Sequence, residues 1–317
     1  MSLKEKLISL IGQEYSYPSI KRDLALYEKA LASDTLVYNK QIDVIIPSYN
    51  RLRELKRTLN ALTKFKNLRL IIVDNNSNQK TKAYLKSISN KFSNIEVVFL
   101  NKNTGGSGAR IEGLKHIKSK FVAFLDNDII PFGNYFNTLA NVLINNPEVC
   151  GVQSKVVLPN GLIQINKPNF NISNKWIVFS DADSQKKYND PSTLEQTLCN
   201  YIPIGATLWR SDIFKKYSFD AKFHTSYEDN DFGYQLFKEG YKFSNCPKAI
   251  CLHIPSSFAP DKTRDYEYAR FGKEHVWEAA REFYRKHMLF FAYGDIDGHT
   301  KHLGFKSKEE YMDFVTN

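Results

Sequence analysis

The chain has 317 residues, 42% hydrophobic and 25% charged, which suffices for one large domain with extensions or two modest ones. Its net charge of +10 lies wholly in residues 41–255, where 28 basic residues stand against 18 acidic ones, a balance suited to phosphorylated or anionic ligands. Zinc-finger spacing, RNA-binding signatures and arginine-rich arms are absent, as are a membrane-length apolar run and a secretory leader at Met1–Tyr15, so nucleic acid is not an expected partner and a cytoplasmic location is expected.

Residues 1–40 read as a polar, mainly helical N-terminal extension. Asp43–Ser48 reads as a strand, and Leu52, Leu55, Leu59 and Leu62 recur at helical spacing behind it. Leu68–Asp74 is a second strand, followed by a helix near 78–90, and Ile95–Leu100 is a third. A glycine-rich turn, Gly105-Gly106-Ser107-Gly108, leads into a helix through about Ile117. Lys120–Leu125 is the fourth strand, with the continuous apolar run of a buried parallel strand. This alternation predicts an α/β fold with a Rossmann-like, mostly parallel central sheet flanked by helices. Further on, the pattern predicts a helix over 134–145, a strand over Val149–Leu158, a loop-rich stretch over 159–193, a helix over 228–239 and a long aromatic helix from Arg264 to about Phe290. The four cysteines, Cys150, Cys199, Cys246 and Cys251, include no Cys-x-x-Cys pair and read as reduced core residues.

The ends of the strands carry the chemistry. Open α/β sheets bind ligands at their carboxyl edge. There the first strand delivers Pro47, Ser48 and Tyr49, with Arg51 just beyond. The second delivers Asp74 and Asn75, small polar groups able to bond a base or ribose, or simply to cap the next helix. The third leads to Gly106 and to Arg110 near a helix start, where anions are favoured. The fourth ends in Asp126-Asn127-Asp128, and carboxylates in that place suit a hard divalent cation that also holds substrate phosphates. Each segment alone also fits a turn or a cap. Four successive strand ends carrying ligand-type groups make the stronger argument.

This order, from about Asp43 to about Ser257, resembles the inverting, family-two-type nucleotide-sugar glycosyltransferases of GT-A fold. Gly105–Arg110 with the later acidic cluster and histidine is similar to bacterial surface-polysaccharide members of galactofuranosyl- or rhamnosyltransferase type. The resemblance implies a GT-A domain over 41–257, with a helical N-terminal extension over 1–40 and a helical C-terminal extension over 258–317. It implies that the acidic cluster Tyr227–Tyr234 supplies the catalytic base, Asp229 first and Glu228 second. Pro47, Tyr49, Arg51, Asp74, Asn75, Gly106, Arg110, Asp126 and Asn127 are then donor-binding candidates. Asp126, Asp128 and His253 are candidate ligands for manganese or magnesium, with Asp126 alternatively on the ribose. Gly205 and Ala206 match the small-residue segment that admits an acceptor, and Trp209 is carried with them, although core packing is its favoured reading.

The implied reaction is metal-dependent inverting transfer from a nucleotide-diphosphate sugar, uridine diphosphate favoured, to a hydroxyl of a growing surface glycan, free or lipid-linked. Arg281, Arg285, Lys286 and His287, beside Met288–Tyr293, are a candidate peripheral contact with the inner face of a membrane, although a packing helix is favoured because residues 256–317 carry ten basic against eleven acidic groups. The competing readings are a non-catalytic carbohydrate-binding or scaffold protein with a relict cleft, and a sugar nucleotidyltransferase. The latter would carry a glycine- and arginine-containing loop after its first strand, where Pro47-Ser48-Tyr49-Asn50 stands. A scaffold should have lost Asp128 or Asp229, and both are present.

Overall fold

A computed structural model describes residues 20–31, 38–258 and 272–317. A first helix, α1, covers 20–31. Then follow β1 (Ile42–Ser48), α2 (Leu52–Leu62), β2 (Leu68–Asp74), α3 (Gln79–Lys91), β3 (Ile95–Phe99), α4 (Gly105–Leu114), β4 (Phe121–Leu125), β5 (Ile129–Pro131) and α5 (Tyr135–Asn145). The second half adds β6 (Val149–Val157), β7 (Ile163–Ile165), β8 (Pro168–Ser173), β9 (Trp176–Asp181), β10 (Leu198–Cys199), β11 (Ala206–Arg210), α6 (Glu228–Lys238) and β12 (Lys242–His253). The chain closes with α7 (Lys273–His287), β13 (Phe290–Tyr293), α8 (Ile296–His302) and α9 (Lys308–Thr316).

The main sheet runs in the order β10-β12-β6-β11-β4-β1-β2-β3, with β5 paired to β12 and β7 to β6. Strands β3, β2, β1 and β4 are mutually parallel, and β11 enters antiparallel between β4 and β6. Period-two alternation decides which face each residue serves. Val44, Ile46, Leu70, Ile72 and Ala123 join one core with Leu55, Leu59 and Leu62 of α2 and with α5. Ile45, Ile71, Val73, Val122 and Phe124 join the opposite core with Ala109 of α4 and with Phe232 and Leu236 of α6. Each leucine of the α2 stripe contributes roughly 1.5–3 kcal/mol by leaving water. All four cysteines are buried, and burial pushes the Cys150, Cys199 and Cys251 thiols up to about 12.

Three expectations change. The stretch 159–193 is not mainly loop: it holds β7 and the β8–β9 hairpin, turned by Asn174 and Lys175 with both φ positive. The aromatic helix expected over 264–290 is helical over Lys273–His287; Met288 then turns left-handed, and Phe290–Tyr293 is a strand. Residues 264–271 lie outside the described ones. The C-terminal region is therefore not wholly helical, because β13 pairs with β9 to make a separate sheet ordered β13-β9-β8. That sheet, α7 and α9 share a third core containing Phe170, Trp176, Phe283, Phe291 and Tyr311. Of the N-terminal extension, residues 20–31 are helical, and Ile20 and Leu24 pack on Ile130, Phe132 and Ile250. Among the described residues no helix is long and apolar enough to cross a membrane.

Candidate active site

The carboxyl ends of β1, β2 and β4 and the N-terminus of α4 surround a cleft of about 630 Å³. Pro47, Ser48, Tyr49, Asn75, Asn103, Gly105, Gly106, Arg110, Asp126, Asn127, Asp128, Thr225 and Glu228 line it. Most donor-side candidates meet here, from segments far apart in sequence.

The segment ahead of α6 is seated on α4 by backbone fit. Gly106 N–H donates to the His224 carbonyl at 2.7 Å, and Gly105 has φ +71° with its missing Cβ 1.7 Å from that carbonyl oxygen. A side chain at 105 would displace His224 and, with it, the acidic start of α6. Asn75 ties the same region to β2: its Nδ2 donates to Asn103 Oδ1 (2.8 Å) and the Gly105 carbonyl (2.9 Å), and its Oδ1 accepts from Thr104 N–H at 2.7 Å. Asn75 thus shapes the cleft with its own polar atoms engaged. Asp74 is fully buried, accepts from Ser77 N–H at 3.3 Å and is not among the lining residues; burial holds its carboxyl above the usual range.

Arg110 bridges two acids across the cleft, donating from Nη2 to Asp126 at 3.0 Å and from Nη1 to Glu228 at 3.2 Å. Gly205 allows this arrangement, since a Cβ there would stand 2.5 Å from Asp126 Oδ2. Arg51, expected on the donor, is instead buried behind the cleft: it ion-pairs with Asp128 and donates to the Ile254 carbonyl at 2.8 Å. Its role is to position Asp128.

The proposed three-ligand metal set is divided. Asp126 turns to Arg110, whereas the antiparallel pairing of β5 with β12 sets His253 beside Asp128, with Nε2 3.4 Å from Oδ2. Among the described residues no cluster of three or more His, Cys, Asp or Glu groups forms a metal cage. Asp128 and His253 nevertheless fit a divalent cation. Gln164 Oε1 lies 2.6 Å from His253 Nδ1, which donates to it and so orients the ring with Nε2 toward Asp128. Such a pair of acceptors suits two neighbouring positions around one cation. Among the described residues, the cleft wall offers Asp126, Asp128 and Glu228 against Arg110, with Arg51 paired to Asp128 from behind. A diphosphate placed there needs added positive charge.

Glu228 and Thr225 line this cleft and also a second, wider one of about 1760 Å³, which Asp229 lines as well. Asp229 is partly buried and accepts from Asn230 N–H at 2.9 Å. Desolvation first, and the Glu228 charge second, push its carboxyl up to about 6.

The acceptor-side set is corrected at Trp209. Its side chain is fully buried against Phe214, Phe232 and Phe243, with Nε1–H donated to Thr207 Oγ1 at 2.7 Å, so it touches no cleft. Ala206 is likewise buried, in β11 opposite Leu125. The basic cluster of α7 is engaged within the protein. Lys286 and His287 pair with Asp231 at 2.9 and 2.7 Å, Arg285 pairs with Glu278 and Glu282, and Arg281 stacks on Phe314 at 3.9 Å. Sequence reasoning missed Thr225 and Gln164, which carry no motif, and the second cleft's wall from Lys273 to His302; Asn103 opens the glycine-rich segment but was not among the site candidates.

Residues 43–172 match the family described as Glycosyl transferase family 2. The pre-mycofactocin glycosyltransferase of Mycobacterium tuberculosis is 26% identical over 216 residues, covering 68% of this chain and 43% of that protein. The Campylobacter jejuni GalNAc(5)-diNAcBac-PP-undecaprenol beta-1,3-glucosyltransferase is 33% identical over 92 residues, 28% of this chain and 29% of that one. A crystal structure of GalNAc-T7 with UDP, GalNAc and Mn2+ superposes with a TM-score of 0.56 at 15% identity, over 89% of this chain and 57% of that one. Residues 43–172 thus match a glycosyl transferase family 2 domain, and the fold is of GT-A type. It spans less than half the length of those two curated relatives.

Proposed function

We propose that the protein is an inverting glycosyltransferase that moves a sugar from a nucleotide-diphosphate donor, uridine diphosphate favoured, to a hydroxyl of a growing surface glycan. One observation carries this reading: an acidic pair on a wall between two clefts, with the member away from the phosphate side held near a pKa of 6. The relatives named for transfer to lipid-linked glycans support the acceptor class.

In this reading the donor diphosphate lies at the N-terminus of α4, where the positive end of the helix dipole favours anions. Arg110 orients it and sets Asp126 and Glu228 in place. Asp128 and His253 would hold a manganese or magnesium ion, which when bound neutralises the leaving diphosphate. The acceptor enters from the second cleft, and Asp229 takes the proton from its hydroxyl. The oxygen forms the new bond to the anomeric carbon, and the bond to the diphosphate breaks on the opposite face, its electron pair leaving with the nucleotide. Such a base contributes about 10²–10⁴-fold. Glu228, neutralised by Arg110, is less suited to that task.

The test is calorimetry against a panel of nucleotide sugars, with manganese and then with chelator. Metal-dependent binding of one donor is expected. Donor binding that ignores chelator removes the metal assignment; silence toward every donor and toward free uridine diphosphate favours the relict-cleft reading.

A further inference from the structure

The wider cleft behind Glu228 and Asp229 is walled by α7, β13 and α8, none of which has a role in the donor site. We propose that this cleft is an acceptor subsite selective for a sugar that bears an anionic group, its ring lying on Tyr293 and its charge held by Lys273 and His302. The proposal rests on the transferase reading above.

Tyr293 is the platform. Its side chain is 46% exposed although it is a large aromatic group on a strand. Its hydroxyl is fixed by Asn230 Nδ2 at 2.9 Å, one residue past Asp229. Phe179 and Phe291 hold its ring edge-on at 5.5 and 4.9 Å. An exposed ring held so firmly beside a carboxylate is a surface for a sugar's C–H face, with the hydroxyls left for polar groups.

The charges are arranged by position. The carboxylates stand at the end shared with the donor cleft, whereas Lys273 and His302 are exposed. Neither has a carboxylate partner among the described residues, although neighbouring Lys222, Arg285 and Lys286 are all paired. Lys273 also opens the 15-residue helix α7, whose positive end adds to the attraction for an anion. His299 completes the wall. It is 8% exposed, burial drives its imidazole down to about 4, and its Nε2 has no hydrogen-bond partner among the described residues. A neutral, unsatisfied imidazole suits a sugar hydroxyl.

The experiment is ligand-observed saturation-transfer NMR on the full chain, with methyl β-D-glucuronide, glucose 6-phosphate and the neutral methyl β-D-glucoside. An anionic probe should bind about tenfold tighter than the neutral one. Excess uridine diphosphate should not displace it, Lys273→Glu should abolish its binding, and Tyr293→Ala should weaken all three probes. The stronger of the two anionic probes tells carboxylate from phosphate. Equal binding of neutral and anionic probes, no binding of any, displacement by uridine diphosphate, or indifference to Lys273→Glu each overturns the inference. The two readings fail separately. A chain that binds uridine diphosphate but shows no anionic preference loses only the acceptor assignment, whereas one that binds no nucleotide loses the transferase reading.

Discussion

Asp229 holds a charge where burial resists it, and that tension makes its role measurable. Its carboxyl is pushed up to about 6, whereas in the unfolded chain it ionises near 3.8. Below about pH 4 both states hold the proton and the burden on folding vanishes; it grows between about 4 and 6 and is complete above that. Asp229→Asn removes the burden, and we expect the folded state to gain about 1–2 kcal/mol at pH 7, after allowance for partial exposure, but nothing at pH 4. The same variant should lower transfer about 10²–10⁴-fold and leave donor affinity unchanged. In the wild type, transfer should rise as pH climbs through about 6 and then level off, because the base must be ionised. Urea melts at the two pH values and a kcat profile check both halves. A stability gain equal at pH 4 and pH 7 would show that burial of the charge is not the cause.

The elements around the site are held by contacts of very different worth. Asp231 is fully buried in α6 and receives His287 and Lys286 of α7 at 2.7 and 2.9 Å, with Gln235 at 2.8 Å. Asp231→Ala would leave those donors facing a void, at a cost of about 3 kcal/mol. Glu282, whose partners Lys222 and Arg285 are exposed, should cost under about 1 kcal/mol on the same change. Urea denaturation of the two variants compares them directly, and equal losses would mean that the buried pair does not dock α7. How legible these elements were depends on where their signal lies. Strands β1, β2 and β4 are buried on both faces and announce themselves as apolar runs ending in ligand-type residues. Strand β8 alternates Asn169, Asn171 and Ser173 with Pro168, Phe170 and Ile172, but its asparagines and proline are poor strand formers, so its residues read as loop until β9 pairs with them. Strand β13 was absorbed into a helix because Met288 ends α7 without a glycine or proline to mark the stop. Gly105–Gly108 reads as a turn by composition, yet it forms the first turn of α4 because the backbone of residue 224 must approach there. Arg51 packs behind the cleft and not on its wall because a motif tells which residues are near a site, not whether each points into it.

At the scale of the whole molecule, the two clefts draw on different cores. The donor cleft grows from the strand ends of the main sheet, whose two faces are packed by α2, α5, α4 and α6. The second cleft depends on the separate core of β8, β9, β13, α7 and α9, which reaches its wall through Tyr227 at the start of α6 and through Val276 and Leu303. Phe283 sits at the centre of that core, fully buried against Phe223, Tyr227, Tyr234 and Phe291. Phe283→Ala should cost about 3–5 kcal/mol. If the two cores are distinct cooperative units, the loss appears first in one of them. Hydrogen exchange should then quicken together in residues 168–181 and 290–316, segments far apart in sequence that are joined by this core and by the pairing of β9 with β13, while β1, β2 and β4 keep their protection. Uridine diphosphate affinity should stay near the wild-type value while transfer falls, because the wall carrying Tyr293 and the mooring of Asp229 loosen and the phosphate side does not. Uniform loss of protection across both sheets would instead make the molecule a single unit, with donor and acceptor sites inseparable by mutation.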